Sequence, residues 1–171
     1  MKTLFWVQVL VISLLCYLGV NTISAADWSV STQSKEMVYA ITENDTDNAF
    51  GQFCYRSSKS CVYLLGLQIA CESGQLYPVL INSDIGSQVM MIRCFDQIRT
   101  GHYRYAFTDF DGMDAIVRKA SKLGLAFPME GDQFKVIRFS LNGADSAITR
   151  MKNNAFKFLP SKASVQSEED L

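Results

Sequence analysis

The sequence predicts a mostly-β domain with two late helices: about eight short strands in an antiparallel sandwich or open barrel, stapled by two disulfides. Three observations predict it. Short runs with alternating apolar residues follow one another, separated by turn-forming residues. Four of the five cysteines fall between Cys54 and Cys94, among those runs. Late in the chain the apolar spacing changes from two residues to three or four.

The first strand is Asp27–Thr32 and the second Met37–Thr42, where Met37, Tyr39 and Ile41 make the larger apolar face. Gln33 to Lys35 turn between them. Glu43 to Asn48 is rich in Asp and Asn and is a loop. Asn44-Asp45-Thr46 matches a glycosylation acceptor, which reads as a plain turn in a bacterial protein.

The third and fourth strands form the cysteine hairpin. Phe53-Cys54-Tyr55 leads into Ser57-Ser58-Lys59-Ser60, and Cys61, Tyr63, Leu65, Leu67, Ile69 and Cys71 then alternate along one face. Gly66 and the flanking turn residues favour a strand over a helix. A hairpin here places Cys54 opposite Cys61, within reach of a disulfide, and leaves Cys71 for Cys94. Four cysteines allow three pairings, and this is the one the hairpin favours.

Tyr77 to Ile81 is the fifth strand, with Pro78 at its start or on a sheet edge. Asn82 to Ser87 is a turn by composition. Gln88 to Cys94 is the sixth strand, with Met90, Ile92 and Cys94 on one face, and Tyr103 to Thr108 the seventh. Met113, Ile116, Val117, Ala120 and Leu123 recur at helical spacing. Acidic residues sit at the start of that helix, Arg118, Lys119 and Lys122 in its later turns, and Gly124 as its stop. Phe134 to Leu141 is the eighth strand. Asn142 or Gly143 opens a second helix with Ala144, Ala147, Ile148 and Met151 as its buried stripe.

The ends set the compartment. Met1 to Ala26 reads as a secretory signal: Lys2, an apolar run from Leu4 to Val20, and Ser24-Ala25-Ala26 as the exit, with cleavage before Asp27. Leu15 before Cys16 argues against lipidation, so Cys16 leaves with the signal. An even four cysteines behind an export signal fit an oxidising compartment, with no membrane span after cleavage. Residues 27–160 make one β-rich domain, and 161–171 a disordered acidic tail. The net charge of −1 offers no field for nucleic acid.

Two clusters carry candidate chemistry. Asp109, Asp111 and Asp114 could hold a cation, but they lack the remaining EF-hand ligands and stand where a helix needs an N-cap. Arg99, His102, Tyr103, Arg104 and Tyr105 interleave charge with aromatic rings, a weak signature of a binding edge for protein or glycan. His102 is the only histidine, and no nucleophile motif accompanies it. A P-loop, dinucleotide fingerprint, redox CxxC and zinc spacing are absent, so no catalytic residue, metal or cofactor is expected.

The segment Phe134-Lys-Val-Ile-Arg-Phe-Ser-Leu-Asn-Gly-Ala144 followed by an alanine-containing helix, with the signal peptide, Trp28 and the paired cysteines, resembles the invasion-associated locus B family of Gram-negative exported proteins. The resemblance implies a periplasmic or surface-associated β-sandwich with an accessory role. The expected function is non-enzymatic binding of a protein or other envelope component. Inhibition of, or immunity to, a cell-wall-degrading enzyme is the alternative, and an unrecognised hydrolase the third. Oligomeric state is not specified by the sequence.

Overall fold

Cys54 and Cys61 stand directly opposite each other on antiparallel strands in the computed structural model, which describes residues 27–129, 131 and 133–156. The expected signal peptide (1–26) and the expected disordered tail (161–171) lie outside these residues. Among the described residues nine strands form one antiparallel sheet, with two helices. The strands are β1 (Ser29–Ser31), β2 (Met37–Glu43), β3 (Ala49–Tyr55), β4 (Ser60–Leu67), β5 (Leu76–Ser83), β6 (Gly86–Arg99), β7 (His102–Phe107), β8 (Lys122–Pro128) and β9 (Phe134–Ser140). The helices are α1 (Phe110–Val117) and α2 (Ala144–Phe156). The sheet order is β1-β2-β3-β4-β7-β6-β5-β8-β9.

This is a single curled half-barrel rather than two facing sheets. The curl brings β9 round towards β1 and β2, and side chains bridge the seam. The Trp28 indole N–H donates to Ser140 O at 3.1 Å, and Asn44 Nδ2 donates to Arg138 O at 3.3 Å. These carbonyls lie on the edge of β9 that no strand pairs. Leu141 N–H donates to Ser121 O and Met129 N–H to Gln133 O, which fixes the odd-numbered residues of β9 as those that pair with β8.

The inner face holds the core. Phe50 is its hub, with ring centroids 5.7–6.0 Å from Trp28, Tyr63, Phe107 and Phe139. Helix α2 lays Ala144, Ala147, Ile148, Met151 and Ala155 over β1 to β3, and α1 buries Met113, Ile116 and Val117 near β4. Burying these side chains is the main stabilising term of the fold.

Both disulfides have the expected partners: Cys54–Cys61 and Cys71–Cys94. They do different work. The first crosslinks one hairpin, with Cα atoms 4.0 Å apart. The second pins the segment that crosses from β4 to β5 onto β6. The same junction carries Gly74 N–H to Cys94 O and Cys94 N–H to Gln75 O, both 2.9 Å.

Several elements differ from expectation. A ninth strand, β8, occupies residues assigned to the end of the first helix. That helix stops at Val117, and Gly124 is mid-strand rather than a helix stop. The reason is that Leu123, Leu125 and Phe127 alternate, all three side chains are buried, and β5 and β9 pair on either side. The cysteine strand ends at Leu67, so Ile69 and Cys71 belong to the crossing segment. The turn assigned to Asn82–Ser87 shrinks to Asp84-Ile85, because β5 and β6 pair as far as Ser83 opposite Gly86. Strand β6 continues through Arg99 past two register shifts opposite β7. The larger apolar face of β2 is the outer one: Val38 and Ala40 are fully buried, while Met37, Tyr39 and Ile41 are half-buried on the outside.

Candidate functional site

The interleaved Arg99–Tyr105 segment is split by the strand period. Tyr103, Tyr105 and Phe107 of β7 face inward, whereas His102 and Arg104 face out. Tyr105 is 2% exposed, and its hydroxyl donates to Ile69 O at 2.8 Å. Burial, with Tyr77 and Tyr103 close by, pushes its pKa up to about 12. Tyr105 is therefore core and not part of an external binding edge, and Tyr103 packs partly buried against the same core. Outside, Arg104 makes a two-pronged pair with Asp96, at 2.9 and 2.6 Å. Arg99 and His102 Nε2 share Asp47 Oδ2. The outward arginines thus already have carboxylate partners.

The three aspartates do not converge. Asp109 is the N-cap of α1, its side chain accepting from Gly112 N–H at 2.9 Å. Asp114 points instead into a polar cluster between helix and sheet. Tyr63 donates to Asp114 Oδ1 at 2.7 Å and Gln52 Nε2 at 3.0 Å. Arg118 donates to Asp114 Oδ2 at 2.9 Å and also pairs with Asp145 of α2. Lys152 of α2 stands 3.8 Å from Asp114 and over the Phe110 ring. Among the described residues no group of three or more His, Cys, Asp or Glu side chains is placed to hold a metal ion.

Sequence reasoning missed this cluster, because Gln52, Tyr63, Asp114, Arg118 and Lys152 come from four separate elements. Its electrostatics are those of a clamp. Burial pushes the Asp114 carboxyl up, but the Tyr63 hydroxyl, Arg118 and Lys152 outweigh it and hold the group below the ordinary carboxylate range. Burial, with the Asp114 carboxylate beside it, drives Tyr63 well above the usual phenol value. A general acid or base needs a pKa moved towards neutrality. Here both partners are moved away from it.

The outer face of β6, β5, β8 and β9 is unusual. In an antiparallel sheet with one covered face, the solvated face is normally polar. Here two cross-strand rows are apolar. The first runs Val89–Leu80–Ala126–Val136, each residue directly opposite the next. The second continues through Met91 opposite Pro78 and Pro128 opposite Phe134. Val89 is 66% exposed, Phe134 64%, Val136 46%, Leu80 41% and Met91 38%.

Polar positions bound these rows. On one side Arg93 lies opposite Leu76. On the other, Ser87, Asn82, Gly124 and Arg138 form the neighbouring row. Asn82, Ser83, Asp84, Lys122, Gly124 and Arg138 line a shallow depression there. The Asp84 carboxylate in it is taken by the Ser121 hydroxyl (2.7 Å) and N–H, which hold it below its usual pKa. The sequence carried a signal for this surface. Leu76 to Ile81 and Val89 to Ile92 are apolar at both odd and even positions, more than one covered face can absorb.

Neither a scan against protein-family models nor a search of curated proteins found a match. Among solved structures, the crystal structure of invasion associated protein B from Bartonella henselae is similar at a TM-score of 0.54 and 17% identity. The likeness covers 75% of this chain and 93% of that one. It is a likeness of fold. The two disulfides fit a protein that works outside the cytoplasm, and among the described residues no helix is long and apolar enough to cross a membrane.

Proposed function

We propose that this chain is a non-enzymatic, extracytoplasmic binding protein, and that its working surface is the outer face of β5, β6, β8 and β9. One observation carries the reading: the exposed rows Val89–Leu80–Ala126–Val136 and Met91–Pro78 with Pro128–Phe134, on a sheet whose other face is filled by its own core. Large exposed apolar patches with a polar boundary are a property of interaction sites. The acidic and basic side chains that could have formed a reactive cluster are paired with one another instead. The fold likeness to the Bartonella protein supports placing the chain among invasion-associated locus B-like exported proteins with an accessory role.

The test is site-specific photocrosslinking in the native host. A photoreactive residue at position 89 or 136 is expected to give discrete adducts, and one at Lys35, exposed near the opposite edge of the sheet, none. Adducts at Lys35 with none at 89 and 136 would move the working surface elsewhere.

A further inference from the structure

Resting on the reading of this face as the working surface, we infer that its occupant is a membrane leaflet bearing anionic phospholipids. The depression at Lys122 and Arg138 receives a headgroup phosphate, and the two apolar rows rest on the acyl boundary.

The charges decide between occupants. Where these four strands pair with one another, every charged side chain on the outer face is cationic: Arg93, Lys122 and Arg138, all exposed, while Asp96 further along β6 is held by Arg104 of β7. Asp84 also lines the depression at Lys122 and Arg138, which therefore carries two cations against one carboxylate whose oxygens accept from Ser121. A second copy of the chain docking through the same face would oppose cation to cation, so the charges disfavour self-association. An anionic surface meets them with opposite sign.

The hydrogen-bonding inventory favours a lipid over a protein. Protein interfaces carry about one hydrogen bond per 100–200 Å². The two apolar rows are built from Val, Leu, Ala, Met, Pro and Phe side chains, which supply no N–H or O–H donor and no oxygen acceptor. A bilayer asks for no directional bond from such a surface. It rewards buried apolar area and cations at the headgroup level, which is the layout of an interfacial anchor. Gly124 supports the assignment: lacking a side chain between Asn82 and Arg138, it keeps the depression open.

The experiment is co-sedimentation of the full chain with vesicles of phosphatidylcholine, with and without phosphatidylglycerol. All variants share residues 1–26 and 157–171, so differences between them report on the face. The unsubstituted chain is expected to partition more strongly onto phosphatidylglycerol-containing vesicles and to be released by salt. Lys122→Glu and Arg138→Glu should each lower partition by about fivefold or more. Val89→Ser should lower it on both kinds of vesicle, and Lys35→Glu should leave it unchanged. Val89 is the most exposed of the apolar residues, so this variant keeps the test open should a charge reversal fail to fold. Equal partition onto the two vesicles, or full partition by folded Lys122→Glu and Val89→Ser chains, overturns the inference. If the vesicles capture nothing while positions 89 and 136 crosslink to an acidic protein, the lipid assignment fails and the binding surface stands.

Discussion

The Tyr63 hydroxyl donates to Asp114 Oδ1 at 2.7 Å, joining the middle of β4 to the middle of α1. Asp114 also receives Gln52 from β3 and Arg118 from the end of α1, and Arg118 reaches on to Asp145 of α2. One carboxylate thus gathers two strands and two helices. Tyr63→Phe deletes one donor and leaves the others, and is expected to cost about 1–2 kcal/mol. Asp114→Ala leaves Gln52, Tyr63 and two cations short of their acceptor, and should cost about 2–4 kcal/mol. Urea unfolding measures both, and equal costs would mean that Asp114 does not organise the group.

The same cluster sets a pH dependence. The Asp114 carboxyl lies lower in the folded chain than its ordinary 3.8, so the unfolded chain takes up the proton first. The stability it confers is complete above about pH 4 and declines as pH falls through the folded value. Asp84 is lowered as well and shares this window. Asp114→Asn should therefore flatten the acid limb of the stability curve without abolishing its slope. Tyr63 and Tyr105 act in the opposite direction. Their raised values give stability that is present below pH 10.0 and lost above it, over a range that for Tyr105 ends at about 12. Thermal melts across pH should show both limbs, and Tyr105→Phe should soften the alkaline one.

The two disulfides should differ in weight. Their sequence separations are 7 and 23 residues. The chain-entropy relation assigns about 2.5 kcal/mol to the shorter loop and about 3.4 kcal/mol to the longer. The gap should widen in practice, because the β3–β4 ladder already holds Cys54 beside Cys61, whereas the crossing segment at Cys71 belongs to no strand. The Cys71→Ala/Cys94→Ala variant should be the less stable pair. It should also show faster hydrogen exchange confined to residues 68–75.

Most of the fold was legible because a strand's period of two survives in the sequence wherever one face alone is apolar. Cys61, Tyr63, Leu65 and Leu67 announced β4 and its inward face, and Ala144, Ala147, Ile148 and Met151 announced α2. The reading failed where two periods overlap. Leu123 completes the helical series from Met113 and also begins the alternation with Leu125 and Phe127, and only pairing with β5 and β9 decides for the strand. Strand β2 shows another limit. Its larger apolar side chains face out, and its smaller ones, Val38 and Ala40, face in where α2 packs on the strand. The Asp114 cluster left no local trace. Its members, spread from Gln52 to Lys152, become neighbours only through tertiary packing.

Two glycines separate the roles that a missing side chain can play. At Gly51, a Cβ would sit inside contact distance of Ala40 O and of the Ile41 backbone. At Gly124 the nearest atom would be Asn82 O at 3.4 Å, an ordinary contact. Gly51→Ala should therefore cost about 2 kcal/mol or more by forcing β2 and β3 apart. Gly124→Ala should be neutral or stabilising by up to about 1 kcal/mol, since it stiffens the unfolded chain and fits a strand. A large loss at Gly124 would instead mean a helix stop requiring a left-handed residue, and would remove β8 from the sheet.

Adjacent residues of β5 test whether the apolar outer rows are uncovered in the whole chain. Ile81 is fully buried on the inner face and Leu80, its neighbour, is 41% exposed on the outer one. Ile81→Thr places a hydroxyl in the core and removes packed carbon, and is expected to cost about 2–4 kcal/mol. Leu80→Thr exchanges a partly exposed side chain for a good strand former, so its effect should stay within about 1 kcal/mol. The comparison should be made on the full chain, where residues 1–26 and 157–171 are present. A cost above about 1 kcal/mol at Leu80 would show that another part of the same chain lies over the face. The rows would then be core in disguise, and neither a lipid nor a protein could be their occupant.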